Sequence, residues 1–185
     1  MGVLLLGSTL YPVYGSAPNH HHAPAGWTRG PTVRRLPARS SGAIMGKVEY
    51  REQVHTFHID INDHVNNAVY IQWLEVGRTR LLEAADLPIE AMQARGYLPI
   101  IVETWIQYRL PLAFPDTARI EVWVSELTHV SAWLAFRIHS EATGKLVARA
   151  RQRGVFVGAT TNKPYRLAET DRRSFAAVLV QGEEA

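Results

Sequence analysis

The 185-residue chain carries 20 Lys and Arg against 17 Asp and Glu, 46% apolar residues and no cysteine. That length suits one folded domain with a tail, and the missing cysteine excludes disulfide scaffolds, thiolate metal sites and a cysteine nucleophile. No apolar run nears the roughly 18 residues of a membrane-spanning helix, while an isoelectric point near 9.4 raises nucleic acid as a partner.

The distribution of charge removes that last reading. Residues 1–48 contain no acid, and their five bases are Arg29, Arg34, Arg35, Arg39 and Lys47. The remainder holds 15 bases and all 17 acids, a net of −2. The basic character therefore belongs to the leader, and no nucleic-acid partner is expected.

The first 47 residues also hold seven of the 13 Gly and five of the 10 Pro, with no sustained periodicity. Such a composition buries too little apolar surface to offset chain entropy, so residues 1–44 read as a disordered leader, or as an upstream extension ahead of a true start at Met45. The Val3–Leu6 stretch has no positive residues before it and is short for a secretory core, so a cytoplasmic location is expected. An acid-free, Arg-bearing leader has transit-peptide composition, but its prolines work against an amphipathic helix. The His20-His21-His22 tract reads as incidental.

From Val48 the pattern becomes regular. Val48–Ile59 mixes β-branched and aromatic residues with partial alternation and reads as a strand. A polar loop, Asp60–Asn66, follows. Asn67 to about Ala85 reads as a helix: Tyr70, Trp73, Leu74, Gly77, Leu81 and Ala84 recur at steps of three and four, with Gln72, Glu75, Thr79 and Glu83 opposite. Asn66 is placed to cap it. Gly77 is costly inside a helix, and its place on the apolar face predicts close approach to a sheet. Pro88 opens a short helix ending near Gly96.

Four strands are then expected, at about Leu98–Arg109, Thr117–Thr128, Ser131–Ala142 and Lys145–Gly158, the last two joined by a hairpin at Ala142–Lys145. Arg166–Leu179 reads as a closing helix. One strand, a long helix and four further strands make an α+β order, an antiparallel sheet with helices on one face. Residues 45–170 are expected to form the domain and residues 171–185 its C-terminal helix and tail.

No Gly-x-Ser-x-Gly elbow, phosphate loop, dinucleotide glycine pattern or His-Glu-x-x-His is found. What stands out is Asp60-Ile-Asn62-Asp63-His64-Val-Asn66-Asn67-Ala-Val-Tyr70. Loops of Asp and Asn before helices commonly form caps and Asx turns. The same arrangement can do chemistry: free amides and the positive dipole end of a helix polarise a carbonyl, and a nearby carboxylate attacks it or activates a water.

The stretch "HIDINDHVNNAVYIQWLEVGRTRLL" resembles the signature of the hotdog-fold thioesterases of the 4-hydroxybenzoyl-CoA thioesterase-like family: an Asp, a short loop often reading His-Val-Asn-Asn, and a Tyr ten positions after the Asp. Asp60 and Tyr70 meet that spacing. The resemblance continues through "IQYRLPLAFPDTARIEVWV" and "SEATGKLVARARQRGVFV" and covers about residues 46–170. It implies a single hotdog domain, a five-stranded antiparallel sheet wrapped around a long central helix. It implies a cofactor-free, metal-free acyl thioesterase that hydrolyses an acyl-CoA or acyl-carrier-protein thioester. By the same resemblance Asp60 is the catalytic carboxylate, nucleophile or general base. The Asn67 backbone amide polarises the carbonyl, while His64, Asn66 and Tyr70 order the loop and wall the substrate pocket. Glu75 and Arg78 match a helix pair that reads as a structural ion pair, worth little if exposed. Edge-to-edge homodimers with the site at the interface, and homotetramers built from them, are implied as well.

Three alternatives stand beside this one. A hotdog hydratase or dehydratase would use Asp-x-Asn-Pro-x-His, whereas Asp60–His64 lacks the proline and places its His one residue early. A metal site from His58, Asp60 and His64 rests on His58 and Asp60 sharing a strand face. A non-catalytic acyl-thioester-binding hotdog protein would keep the fold. Arg149, Arg151 and Arg153 alternate along one strand and read as a solvated face or subunit contact, with a coenzyme A phosphate clamp as the other option. Trp105, Trp123 and Trp133 read as core or interface residues.

Overall fold

The computed structural model describes residues 46–183, together with the backbone of two short strands, β1 (Leu5–Leu6) and β2 (Thr9–Leu10), which pair antiparallel. The rest of the expected leader, with Met45 and the histidine tract, lies outside the described residues. By its contacts the chain divides into Met1–Ala38 and Arg39–Ala185, and the second unit carries the remaining elements.

These are β3 (Val48–Gln53), α1 (Asn67–Ala84), α2 (Ile89–Ala94), β4 (Tyr97–Tyr108), β5 (Thr117–Leu127), β6 (Ser131–Ser140), β7 (Leu146–Gly158) and α3 (Glu169–Ala176). The five strands form one antiparallel sheet in the order β3-β5-β6-β7-β4. β3 and β4 are its edges. Alternation sorts the faces: Ala118, Ile120 and Val122 of β5 and Leu134, Phe136 and Ile138 of β6 are all buried toward the helix, as a period of two requires. The hairpin between β6 and β7 turns through Gly144 in the left-handed region (φ 69°).

The long helix α1 lies across this inner face, burying Tyr70, Trp73, Leu74, Gly77 and Leu81. The close approach expected at Gly77 is present: a methyl group there would sit 2.7 Å from the Tyr50 hydroxyl oxygen and 2.9 Å from Phe136 Cε1. Ala84, placed on the apolar face from its spacing, is exposed instead, and Ala85 beyond the helix end is buried. Among the described residues no helix is long and apolar enough to cross a membrane.

The first strand is shorter than expected. It ends at Gln53, which pairs with Thr117, the first residue of β5. A strand continues only as far as its partner, so beyond Val54, whose amide still reaches Asp116 O at 2.9 Å, the chain turns into a 3-10 helix over Thr56–His58. The closing helix is also shorter than expected. After α3 the chain leaves helical geometry to bridge β5, with Val124 N donating to Val178 O (2.8 Å) and Val180 N to Val124 O (2.9 Å). That tail covers Trp123 on the outer sheet face, and Glu183 there pairs with Lys47 and Arg137.

Candidate active site

The polar loop is closed by a miniature ladder. Ile59 bridges Val65 antiparallel, and the Asp60 amide donates to His64 O at 2.8 Å. The chain reverses through Asp63, whose φ of 59° lies in the left-handed region that Asp and Asn tolerate best among side-chain-bearing residues. Asp60 Oδ1 accepts the Asn62 amide (2.8 Å), an Asx turn that fixes the carboxyl group. Asn66 N donates to His58 O, and Val65 N to Leu112 O (2.8 Å). The loop is thereby tied both to the 3-10 turn and to the β4–β5 connection.

Asn66 caps α1 as expected, its side chain accepting from the Ala68 amide at 2.8 Å, and its carbonyl takes the Val69 amide. The Asn67 N–H between them has no hydrogen-bond acceptor among the described residues. It is a free donor at the positive end of an 18-residue helix, the arrangement that favours negative charge.

A cleft of about 370 Å³ opens where these parts meet, lined by Asp60, Asn62, His64, Asn67 and Tyr70 on one side and by Tyr108–Leu112 on the other. Four of the five expected site residues are thus brought together. The fifth, Asn66, does not line the cleft; its side chain is committed to the cap, so it positions Asn67. Asp60 is half-buried, while His64 and Asn67 are exposed. Tyr70 is buried with its ring edge-on to Tyr108 (centroids 5.1 Å). Burial, with a smaller contribution from Tyr108, pushes the Tyr70 hydroxyl up to about 12, so it stays a neutral phenol at physiological pH.

The second wall, Tyr108–Leu112, escaped the sequence. Tyr108 ends a strand and its hydroxyl lies 3.4 Å from Asn67 O. The only signal was the run of apolar residues and prolines after a strand, which reads equally well as a plain connection.

The metal reading loses its geometric premise: His58 sits in the 3-10 turn, not on a strand face shared with Asp60. Among the described residues no three His, Cys, Asp or Glu side chains are grouped to hold a metal ion. Glu75 and Arg78 do pair, but not as an isolated exposed bridge. Arg78 is largely covered and also donates to Oε1 of the buried Gln152 (2.8 Å), whose amide donates to Thr104 (3.1 Å). On the outer face Arg149 stacks over Trp105 and Arg151 over Trp133, so these arginines clamp indole rings.

The sequence profile of the thioesterase-like superfamily matches residues 54–175, spanning both walls of the cleft. The chain belongs to the thioesterase-like superfamily. Its enzyme class is thioester hydrolase. Among relatives of this thioesterase-like chain is the long-chain acyl-CoA thioesterase FadM of Escherichia coli, 32% identical over 60% of this chain and 83% of FadM. Another is the putative acyl-CoA thioesterase YneP of Bacillus subtilis, 29% identical over 54% of this chain and 72% of YneP. Among solved structures, the probable thioesterase YbaW of E. coli superposes with a TM-score of 0.61 at 26% identity, over 70% of this chain and 97% of YbaW. The hotdog fold implied by the resemblance is the one these neighbours share.

Proposed function

We propose that this enzyme hydrolyses acyl-CoA thioesters to a free acid and coenzyme A, with Asp60 as the catalytic carboxylate. The observation that carries the reading is one cleft presenting the fixed Asp60 carboxyl group and the free Asn67 amide together. The thioester oxygen is polarised by the Asn67 N–H, which gains strength as charge builds on that oxygen. Asp60 either attacks the carbonyl carbon, forming a mixed anhydride that water then hydrolyses to the free acid and the regenerated carboxylate, or deprotonates a water that attacks directly. On either route the C–S bond breaks and the thiolate leaves and takes up a proton. Tyr70 and His64 wall the approach. The relatives named as acyl-CoA thioesterases support the carrier.

The working form is a pair of chains joined through β4. The two sheet edges differ in kind. β3 has six residues, VEYREQ, with charges along it, the usual protection of an edge. β4 has twelve and, although Pro99, Glu103 and a register shift between Ile101 and Glu103 interrupt it, exposes the apolar or aromatic Ile100, Val102, Trp105 and Tyr108, a longer and more apolar edge for another strand. Tyr108 also belongs to the cleft wall, so an edge-to-edge pair would bring a second chain to the site.

Replacing Asp60 with Asn keeps the shape and removes the charge. Thiol release from a good acyl-CoA is expected to fall about 100-fold or more, the usual scale for a positioned carboxylate, while the melting temperature stays near that of the parent. Thiol release within a few-fold of the parent would refute the mechanism.

A further inference from the structure

A second cavity, of about 250 Å³, lies between α1 and the sheet, and two small residues, Ala132 and Gly154, are among its lining. Its lining is mostly apolar, including Leu82, Ile101, Leu134 and Phe175; the exposed Glu75 and Thr79 and the largely covered Arg78, held by Glu75 and Gln152, are its polar members. Ile101, Gly154 and Ala132 form one cross-strand row on the inner face, from β4 through β7 to β6. Gly154 is interior to a strand, where glycine weakens the ladder and signals a special need. Its backbone is not in the left-handed region, and an added methyl group would meet Ile101 Cδ1 at 3.7 Å, ordinary contact. Neither backbone geometry nor crowding requires glycine there. What its missing side chain preserves is space, in a protein interior that is otherwise close-packed and loses stability for each unfilled volume.

We infer that this cavity is the chamber for a straight aliphatic acyl chain, that Gly154 sets the chain length it takes, and that it serves Asp60 of the partner subunit. The inference rests on the thioesterase reading and on the β4 pair. At about 30 Å³ per water-sized unit the volume takes about eight methylenes. Within one chain the cavity and the cleft are far apart: Ile101 and Tyr108 stand seven residues apart along β4, or about 23 Å. Antiparallel pairing of two β4 strands over their full length sets Tyr108 of one chain beside Tyr97–Pro99 of the other. Pro99 lines the cavity, so each cleft would open toward the other chain's chamber.

The test is kcat/KM for straight-chain acyl-CoAs from four to sixteen carbons, on the full chain and on Gly154→Ala, Gly154→Phe and Asp60→Asn. The ratio of twelve-carbon to four-carbon kcat/KM is expected to drop at least tenfold in Gly154→Phe and less in Gly154→Ala. An unchanged ratio in Gly154→Phe overturns the chamber. If the Phe variant does not fold, dodecanoate titration decides: it should raise the melting temperature of the parent and do so less in Gly154→Ala, and equal shifts overturn the inference. Co-refolding Asp60→Asn with Gly154→Phe should recover about a quarter of parental twelve-carbon turnover, since half the pairs are mixed and each holds one intact cleft facing one open chamber. No recovery overturns the service across the pair. Full activity of Asp60→Asn alone would instead sink the catalytic reading, whatever the chain-length profile shows.

Discussion

Substituting Gly77 by alanine separates two opposite expectations. In an exposed helix the change stabilises by about 1 kcal/mol, because glycine carries excess backbone entropy. Here the new methyl group would lie 2.7 Å from the Tyr50 hydroxyl oxygen, 2.9 Å from Phe136 Cε1 and 3.2 Å from Tyr50 Cε1. Both rings are buried, so neither can swing into solvent. Forcing a methylene-sized group into a packed core costs about 1–3 kcal/mol. Displacing Tyr50 also breaks its hydrogen bond to Trp73 O (2.5 Å), and leaving that buried pair unmade costs about 1–3 kcal/mol more. Set against the propensity gain of about 1 kcal/mol, the balance is a loss of about 1–5 kcal/mol, which urea denaturation would read as a lower midpoint at unchanged slope. Turnover should fall too, since lifting α1 moves the Asn67 amide. A double-mutant cycle sharpens the test: in a Tyr50→Phe background the nearest clashing atom is gone, and the cost of Gly77→Ala should shrink by about 1 kcal/mol or more. Equal or higher stability of Gly77→Ala in the parent would refute the reasoning.

Three further outcomes are expected. Asn66→Ala removes the cap on α1 and should cost about 1 kcal/mol in chemical denaturation, while Asn66→Asp keeps an acceptor and recovers most of it. Burial alone would raise the Asp116 carboxyl group, but the Ser140 hydroxyl and the amides of Ala142, Thr117 and Glu141 hold it below its ordinary value. Its stabilisation is therefore present above the unfolded value of 3.8 and is lost as pH falls through the lower folded value. Asp116→Asn should lower stability at pH 7 and reduce the difference between pH 7 and pH 3, measured by denaturation at each. Val102→Lys places a charge on the exposed β4 edge and should shift light-scattering mass toward the monomer with a parallel loss of turnover; an unchanged mass would exclude β4 as the joint.

Most of the fold was legible because local pattern and global position agree. The inward residues of β5 and β6 alternate, α1 keeps one apolar stripe, and Gly144 marks the hairpin. Misreadings arose where the deciding partner is distant in sequence. Val54–Ile59 has strand-like residues, but β5 starts too late to pair with them. Ala84 continues the helical stripe, yet the chain turns away before the sheet reaches it. One half of the cleft region was readable because Asp60, Asn66, Asn67 and Tyr70 are close along the chain and fall in the motif that carries the family resemblance. Tyr108 and Leu112 join the cleft through contacts with Asn67 and Val65 across more than forty residues, and no local pattern records such a meeting.

β4 is the element whose sequence fits its position least well. Ile100, Ile101 and Val102, then Trp105 and Ile106, make it as apolar as an interior strand, yet it lies at an edge with most of its residues at least partly exposed. For a single chain such an edge is an aggregation hazard, and the charged, six-residue β3 shows that the same sheet can protect an edge. The difference between the two is explained if β4 is an interior strand of a larger sheet. That one assumption accounts for the exposed Trp105 and Val102, places a second chain beside Tyr108 at the open wall of the cleft, and supplies the apolar room that the Asp60 cleft, walled largely by polar groups, does not offer an acyl chain.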